Sequence, residues 1–177
     1  LRYYLYGGFE LPRDSGRVIL GDRDQRQAFW DEVEYDQLGL GDACGCYVFG
    51  IRVGGGIKPW YVGKAERQPF RKECLTLDKL TKYESAMKHV GKGTPLLYFY
   101  ARTTKAKHLF SSPSTSKHRD VAYLEKLLIS HALQRNRNLI NIMETKLLKE
   151  MVVPGMINSP PGSLSNAAKE MQILMGY

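Results

Sequence analysis

The glycine triplet Gly54-Gly55-Gly56 constrains this chain more than any other feature. It separates two apolar, β-rich runs, "CYVFGIRV" and "KPWYVG". Two such runs across a glycine turn predict a β-hairpin, because glycine reverses the chain at little steric cost. Other elements fall in place around it. "LRYYLYGGFEL" reads as a strand, and "DRDQRQAFWDEVEYDQL" as a helix stopped by Gly39 and Gly41. Pro69 fits the first position of a helix in which Phe70, Cys74, Leu77, Leu80, Tyr83, Met87 and Val90 recur at steps of three and four, until Gly91. "TPLLYFYARTT" predicts another strand, and "KAKHLFSSPSTSKHR" a polar, basic loop. Asp120 caps a helix over "VAYLEKLLISHALQ", and "LINI" reads as a short terminal strand. The order β-β-α-β-α-β predicts an α/β (α+β) domain: a small mixed β-sheet flanked by helices. Its core spans 41–142, with an N-terminal extension over 1–40 and a C-terminal one over 143–177. The latter ends in a helix starting near Ser163 or Ser165.

Length and charge narrow the class. The 177 residues suffice for one domain with a real core, and 43% hydrophobic with 25% charged residues excludes disorder. An excess of 26 Lys+Arg over 18 Asp+Glu leaves +8, which favours a polyanionic partner; the charge admits RNA as well as DNA. A solvated basic surface with no partner is the plainer alternative. No apolar run approaches the roughly 18 residues that span a bilayer, so no membrane role is expected. Cys44, Cys46 and Cys74, odd in number, fit a reducing compartment, and the chain reads as cytoplasmic. Cys44 and Cys46 lack a second Cys or His pair at zinc spacing and read as buried thiols.

Glu125 is physically odd. Val121, Ala122, Leu128 and Ile129, one turn away on either side, form the apolar face of its helix. A carboxylate there needs a cation, either a base such as Arg71 or a bound divalent metal. The hairpin bears on that choice. Gly45-Cys46-Tyr47 and Tyr61-Val62-Gly63 resemble the two name-giving tripeptides of the GIY-YIG nuclease family. The likeness continues through Arg71 on the following helix, Glu125 in its "LEKLLI" context and Asn141 in "NLIN", covering about residues 45–142. The "YVGKA" form, with Lys64, is similar to the N-terminal incision domain of bacterial nucleotide-excision-repair nucleases.

The resemblance implies a divalent-metal-dependent endonuclease acting on DNA. Tyr47 would take the proton of the attacking water, with its phenol lowered by Lys64 and the metal. Glu125 would hold a single Mg²⁺ or Mn²⁺, a hard cation that prefers oxygen. Arg71 would grip a phosphate, Tyr61 would position water or phosphate, and Asn141 would orient. Lys105, Lys107, Lys117 and Arg119, with Arg135 and Arg137, would contact the phosphate backbone or form a solvated basic rim. Cutting both strands with one such site implies a homodimer or sequential nicking. Two departures stand out. Thirteen residues separate Tyr47 from Tyr61, more than the family's usual gap, and Leu75 stands where the family places a His or Tyr one turn after its arginine. The latter favours a rival reading, a degenerate fold that binds nucleic acid without turnover. A third reading, a protein-interaction domain, predicts no salt-dependent nucleic-acid binding at all.

Overall fold

The computed structural model describes residues 2–13, 20–104, 109–116, 118–141, 145–157 and 159–176. They divide into two compact units, Leu1–Ile140 and Asn141–Tyr177.

The first unit is built on a four-stranded sheet of order β1-β4-β2-β3, comprising β1 (Arg2–Glu10), β2 (Gly45–Val53), β3 (Gly56–Ala65) and β4 (Thr94–Thr103). All three pairings are antiparallel, which corrects the mixed sheet expected from the element order. The reason is connectivity. The β2–β3 hairpin turns at once, and β1, read as an extension, pairs along β4 from Arg2↔Thr103 to Glu10↔Leu96. The expected "LINI" strand is absent where it is described. Leu139–Asn141 are irregular, with Ile140 N–H donating to Trp60 O at 2.9 Å, and Ile142 lies outside the described residues.

Helix α1 (Arg23–Asp36) starts at Asp22, whose side chain accepts from Gln25 N–H. The single helix expected after Pro69 is two: α2 (Phe70–Glu73), with Pro69 at its N-cap, and α3 (Leu77–Val90). The break leaves Leu77 78% exposed, off the stripe that sequence spacing gave it. Phe29, Trp30, Phe70, Leu80, Tyr83 and Met87 from these helices share one core with Tyr47, Phe49, Tyr61 and Phe99 of the sheet. Phe49 stacks on Tyr83 at 4.2 Å, and Phe70 lies 4.9 Å from Phe99. Each such buried aromatic contributes about 1.5–3 kcal/mol. Helix α4 (Arg119–Arg135) buries Val121, Ile129, Ala132 and Leu133 and packs on β3 and β2.

The second unit holds α5 (Thr145–Glu150), absent from the sequence reading, and α6 (Asn166–Met175). Ser165 caps α6 by accepting from Ala168 N–H, and the Gln172 amide donates to Gly155 O at 2.7 Å. Among the described residues no helix is long and apolar enough to cross a membrane. The three cysteines are free and buried, and burial pushes the Cys44 thiol up to about 11.

Candidate active site

Register and alternation distribute the candidate residues. Tyr47 lies opposite Gly63, Phe49 opposite Tyr61, and Cys46 opposite Lys64. Successive side chains point to opposite faces of a sheet. Tyr47 and Tyr61 therefore face α2 and α3, whereas Lys64 faces α4. Because β3 is an edge strand, the two sides meet around its margin in a cleft of about 440 Å³. Tyr47, Tyr61, Lys64 and Glu125, distant in sequence, all line it.

Glu125 arrives there because α4 is fixed at its start. Asp120 accepts hydrogen bonds from Arg102 Nε and from the Tyr3 hydroxyl, both at 2.7 Å, and Cys46 Sγ donates to Val121 O at 3.3 Å. One turn further on, Glu125 Oε2 meets Lys64 Nζ at 2.9 Å. Desolvation alone would lower the Lys64 ammonium, but the Glu125 hydrogen bond and charge outweigh it and leave it raised.

The phenol side differs. Tyr47 is fully buried, and among the described residues its hydroxyl has no hydrogen-bond partner. Its ring lies 6.2 Å from that of Tyr61 and presses on the bare backbone of Gly63, where a Cβ would meet Tyr47 Cζ at 2.3 Å. Burial, reinforced by Tyr83, Cys74 and Tyr61, pushes the Tyr47 phenol well above its ordinary value. This is opposite to the lowering expected from Lys64, whose ammonium is bound to Glu125 on the other face. Lys79 and Lys82 place their ammonium groups 5.6 and 5.4 Å from the Tyr61 ring centroid.

Arg71 does not join the cleft. Its guanidinium donates to Glu34 Oε1 at 2.9 Å and lies 5.4 Å from the Trp30 ring centroid, while its N–H donates to Gly41 O at 2.8 Å. Glu34 also accepts from Gly39 N–H at 2.6 Å and Gly41 N–H at 3.0 Å. The backbone of Gly41 runs so close that a Cβ there would overlap both Glu34 and Arg71. Leu75 is buried in the core. The cations that do line the cleft with Lys64 are Arg67 and Lys79, and neither was singled out from the sequence. Arg67 sits in a bend after β3, and Lys79 in the first turn of α3. No local spacing marks Lys79, because the chain breaks between α2 and α3 within an unbroken three-and-four pattern.

The remaining candidates are scattered. Asn141 belongs to the 141–177 unit, where its carbonyl accepts from the Thr145 hydroxyl. Arg119, Arg135 and Arg137 are exposed, and Lys105, Lys107 and Lys117 lie outside the described residues.

Among the described residues no group of three or more His, Cys, Asp or Glu side chains gathers as a ready-made metal cage. A single Mg²⁺ or Mn²⁺ fits nonetheless, since such ions bind through one or two carboxylates, water and substrate phosphate. Glu125, which lines the cleft, would supply one carboxylate. Glu66, in the same cleft, has a buried Oε1 with no hydrogen-bond partner among the described residues. Three carboxylates, Glu66, Glu73 and Glu125, offset the three cations, so the cleft attracts phosphate only weakly without an added positive charge. No family model, curated protein or solved structure matches the chain.

Proposed function

We propose that this chain is a divalent-metal-dependent endonuclease of GIY-YIG type that hydrolyses DNA phosphodiester bonds. One observation carries the reading: Tyr47, Tyr61, Lys64 and Glu125 line a single cleft at the margin of the sheet. Glu125, with Glu66 beside it in the cleft, would hold the metal, which supplies positive charge to the scissile phosphate. Arg67 and Lys79 contribute cations to the same phosphate, in the place the resemblance gave to Arg71. Tyr61, flanked by two ammonium groups, orients the water or phosphate. Tyr47 receives the proton of the attacking water at its phenolic oxygen, and requires that phenol to ionise first.

Two observations favour the rival, a nucleic-acid-binding module without turnover. Arg71 is committed to Glu34, and burial holds the Tyr47 phenol protonated. Plasmid nicking with Mg²⁺ or Mn²⁺ decides between them. Wild-type protein is expected to nick, and Glu125→Ala to lose at least about a hundredfold in rate. If neither protein cuts while both bind DNA with a steep salt dependence, the module reading replaces the enzyme.

A further inference from the structure

We infer that a second cavity, of about 310 Å³, is a subsite for an unpaired nucleotide, with its base stacked on Tyr123 and its phosphates held by Arg119 and Lys126. This rests on the nucleic-acid reading above and specifies which form of nucleic acid the chain prefers. Arg119, Ala122, Tyr123 and Lys126 stand at i, i+3, i+4 and i+7 on α4, one continuous stripe. Arg119, Tyr123 and Lys126 are exposed, Ala122 is half-buried, and Val121, Ile129, Ala132 and Leu133 are buried. Tyr123 is 70% exposed, so core packing does not explain it. Cations stand about one turn before and just under one turn after it, with small Ala122 alongside.

The cavity adjoins the candidate active site, because Lys64 and Glu66 line both. Its lining holds three cations, Lys64, Arg119 and Lys126, and one carboxylate, Glu66, with Lys64 also bound to Glu125 at 2.9 Å. A positive groove beside an exposed aromatic ring is the arrangement that binds single strands. Bases within a duplex are covered on both faces by their neighbours, so only an unpaired base can stack on Tyr123. The ligand is therefore a flap, a splayed arm, a mismatch or a free strand running into the cleft.

Fluorescence anisotropy on metal-free wild-type protein, with chelator present, tests this using three labelled probes: a matched duplex, its single strand, and a duplex with one splayed arm. The single strand and the splayed duplex are expected to bind more tightly than the matched duplex. Tyr123→Ala should remove about tenfold of affinity for those two and leave the matched duplex unchanged, with Tyr123→Phe behaving as wild type. Replacing both Arg119 and Lys126 by alanine should reduce the single-strand salt slope by about 1.4. Equal effects of Tyr123→Ala on all three probes, or no effect on any, overturn the subsite. The latter outcome would leave Tyr123 and Leu127, which is 59% exposed, as an apolar strip for a protein partner. Nicking assays separate the two readings. Discrimination through Tyr123 without cutting supports the subsite and sinks the nuclease, whereas cutting with Tyr123→Ala binding as wild type does the reverse. Failure of wild-type protein to bind any probe overturns both.

Discussion

Two ion pairs of equal length mark two regions of the first unit. Arg71–Glu34 and Lys64–Glu125 each span 2.9 Å, and their side chains are about equally accessible, at 32% and 21% against 36% and 20%. Their surroundings separate them. Glu34 also accepts two backbone N–H groups from the 39–41 loop, and Arg71 lies against Trp30, so this pair is a seam that ties α1 to the start of α2. Among the described residues Glu125 has Lys64 as its hydrogen-bond partner, and both project into an open cleft. Partly exposed pairs stabilise by only about 0–1 kcal/mol, so neither is kept for Coulomb energy alone. The number of acceptor positions left open distinguishes a structural pair from one available to a ligand.

The contrast can be broken in four further ways. Gly63→Ala has the largest expected effect, because the added Cβ overlaps the buried end of Tyr47. Stability should fall by up to about 3 kcal/mol and cutting should be lost together with it. Unchanged urea denaturation would show that the cleft floor yields. Arg71→Ala tests the seam. It is expected to cost about 1–2 kcal/mol of stability while changing the nicking rate less than about threefold. A collapse of rate at normal stability would place Arg71 in catalysis after all.

Tyr47→Phe separates packing from chemistry. Removing a buried hydroxyl that lacks a partner among the described residues should leave the thermal midpoint unchanged or raise stability by up to about 1 kcal/mol, whereas a catalytic phenol predicts lost cutting. Stability and rate both unchanged would remove Tyr47 from the mechanism.

The smallest effect is that of acid. Burial would raise the Asp120 carboxyl, but the bonds from Arg102 and Tyr3 outweigh it and leave it below the ordinary value. The stabilisation is complete above the unfolded carboxyl's pKa, about 3.9, and is lost as pH falls through the lower folded value. Thermal midpoints measured from pH 5 down to pH 2 should therefore fall more steeply for wild type than for Asp120→Asn. Parallel curves would show that this anchor of α4 contributes nothing to acid stability.

What the sequence made legible was local. The hairpin around Gly54, α1, and the helix bearing Glu125 each follow from runs of neighbouring residues, although α1 ends at Asp36 with Gln37 as its C-cap, before the glycines expected to stop it. The hidden features depend on distant partners. Arg71 turns toward Glu34 and Trp30, roughly forty residues earlier, and no local spacing encodes that direction. The interruption at 74–76 sends Leu77 outward and Lys79 into the cleft, although the three-and-four periodicity runs through it unbroken. Strand alternation gave Tyr47 a face but not its depth, which comes from α3 closing over it. The candidate set was thus half assembled by register and half by packing.

The pairing of β1 with β4 also gives the protein a timetable. Arg2 lies opposite Thr103, so the first strand has no neighbour in the sheet until about a hundred residues have been made. At a synthesis rate of roughly 5–20 residues per second, "RYYLYG" waits on the order of 5–20 s beside the ribosome with its aromatic side chains unpaired. Tyr3 of that same strand anchors Asp120 at the head of α4. Strand β1 is therefore made before its partner yet is among the last strands of this sheet to be secured, and the carboxylate of Glu125 reaches its place only once both ends of this clamp exist.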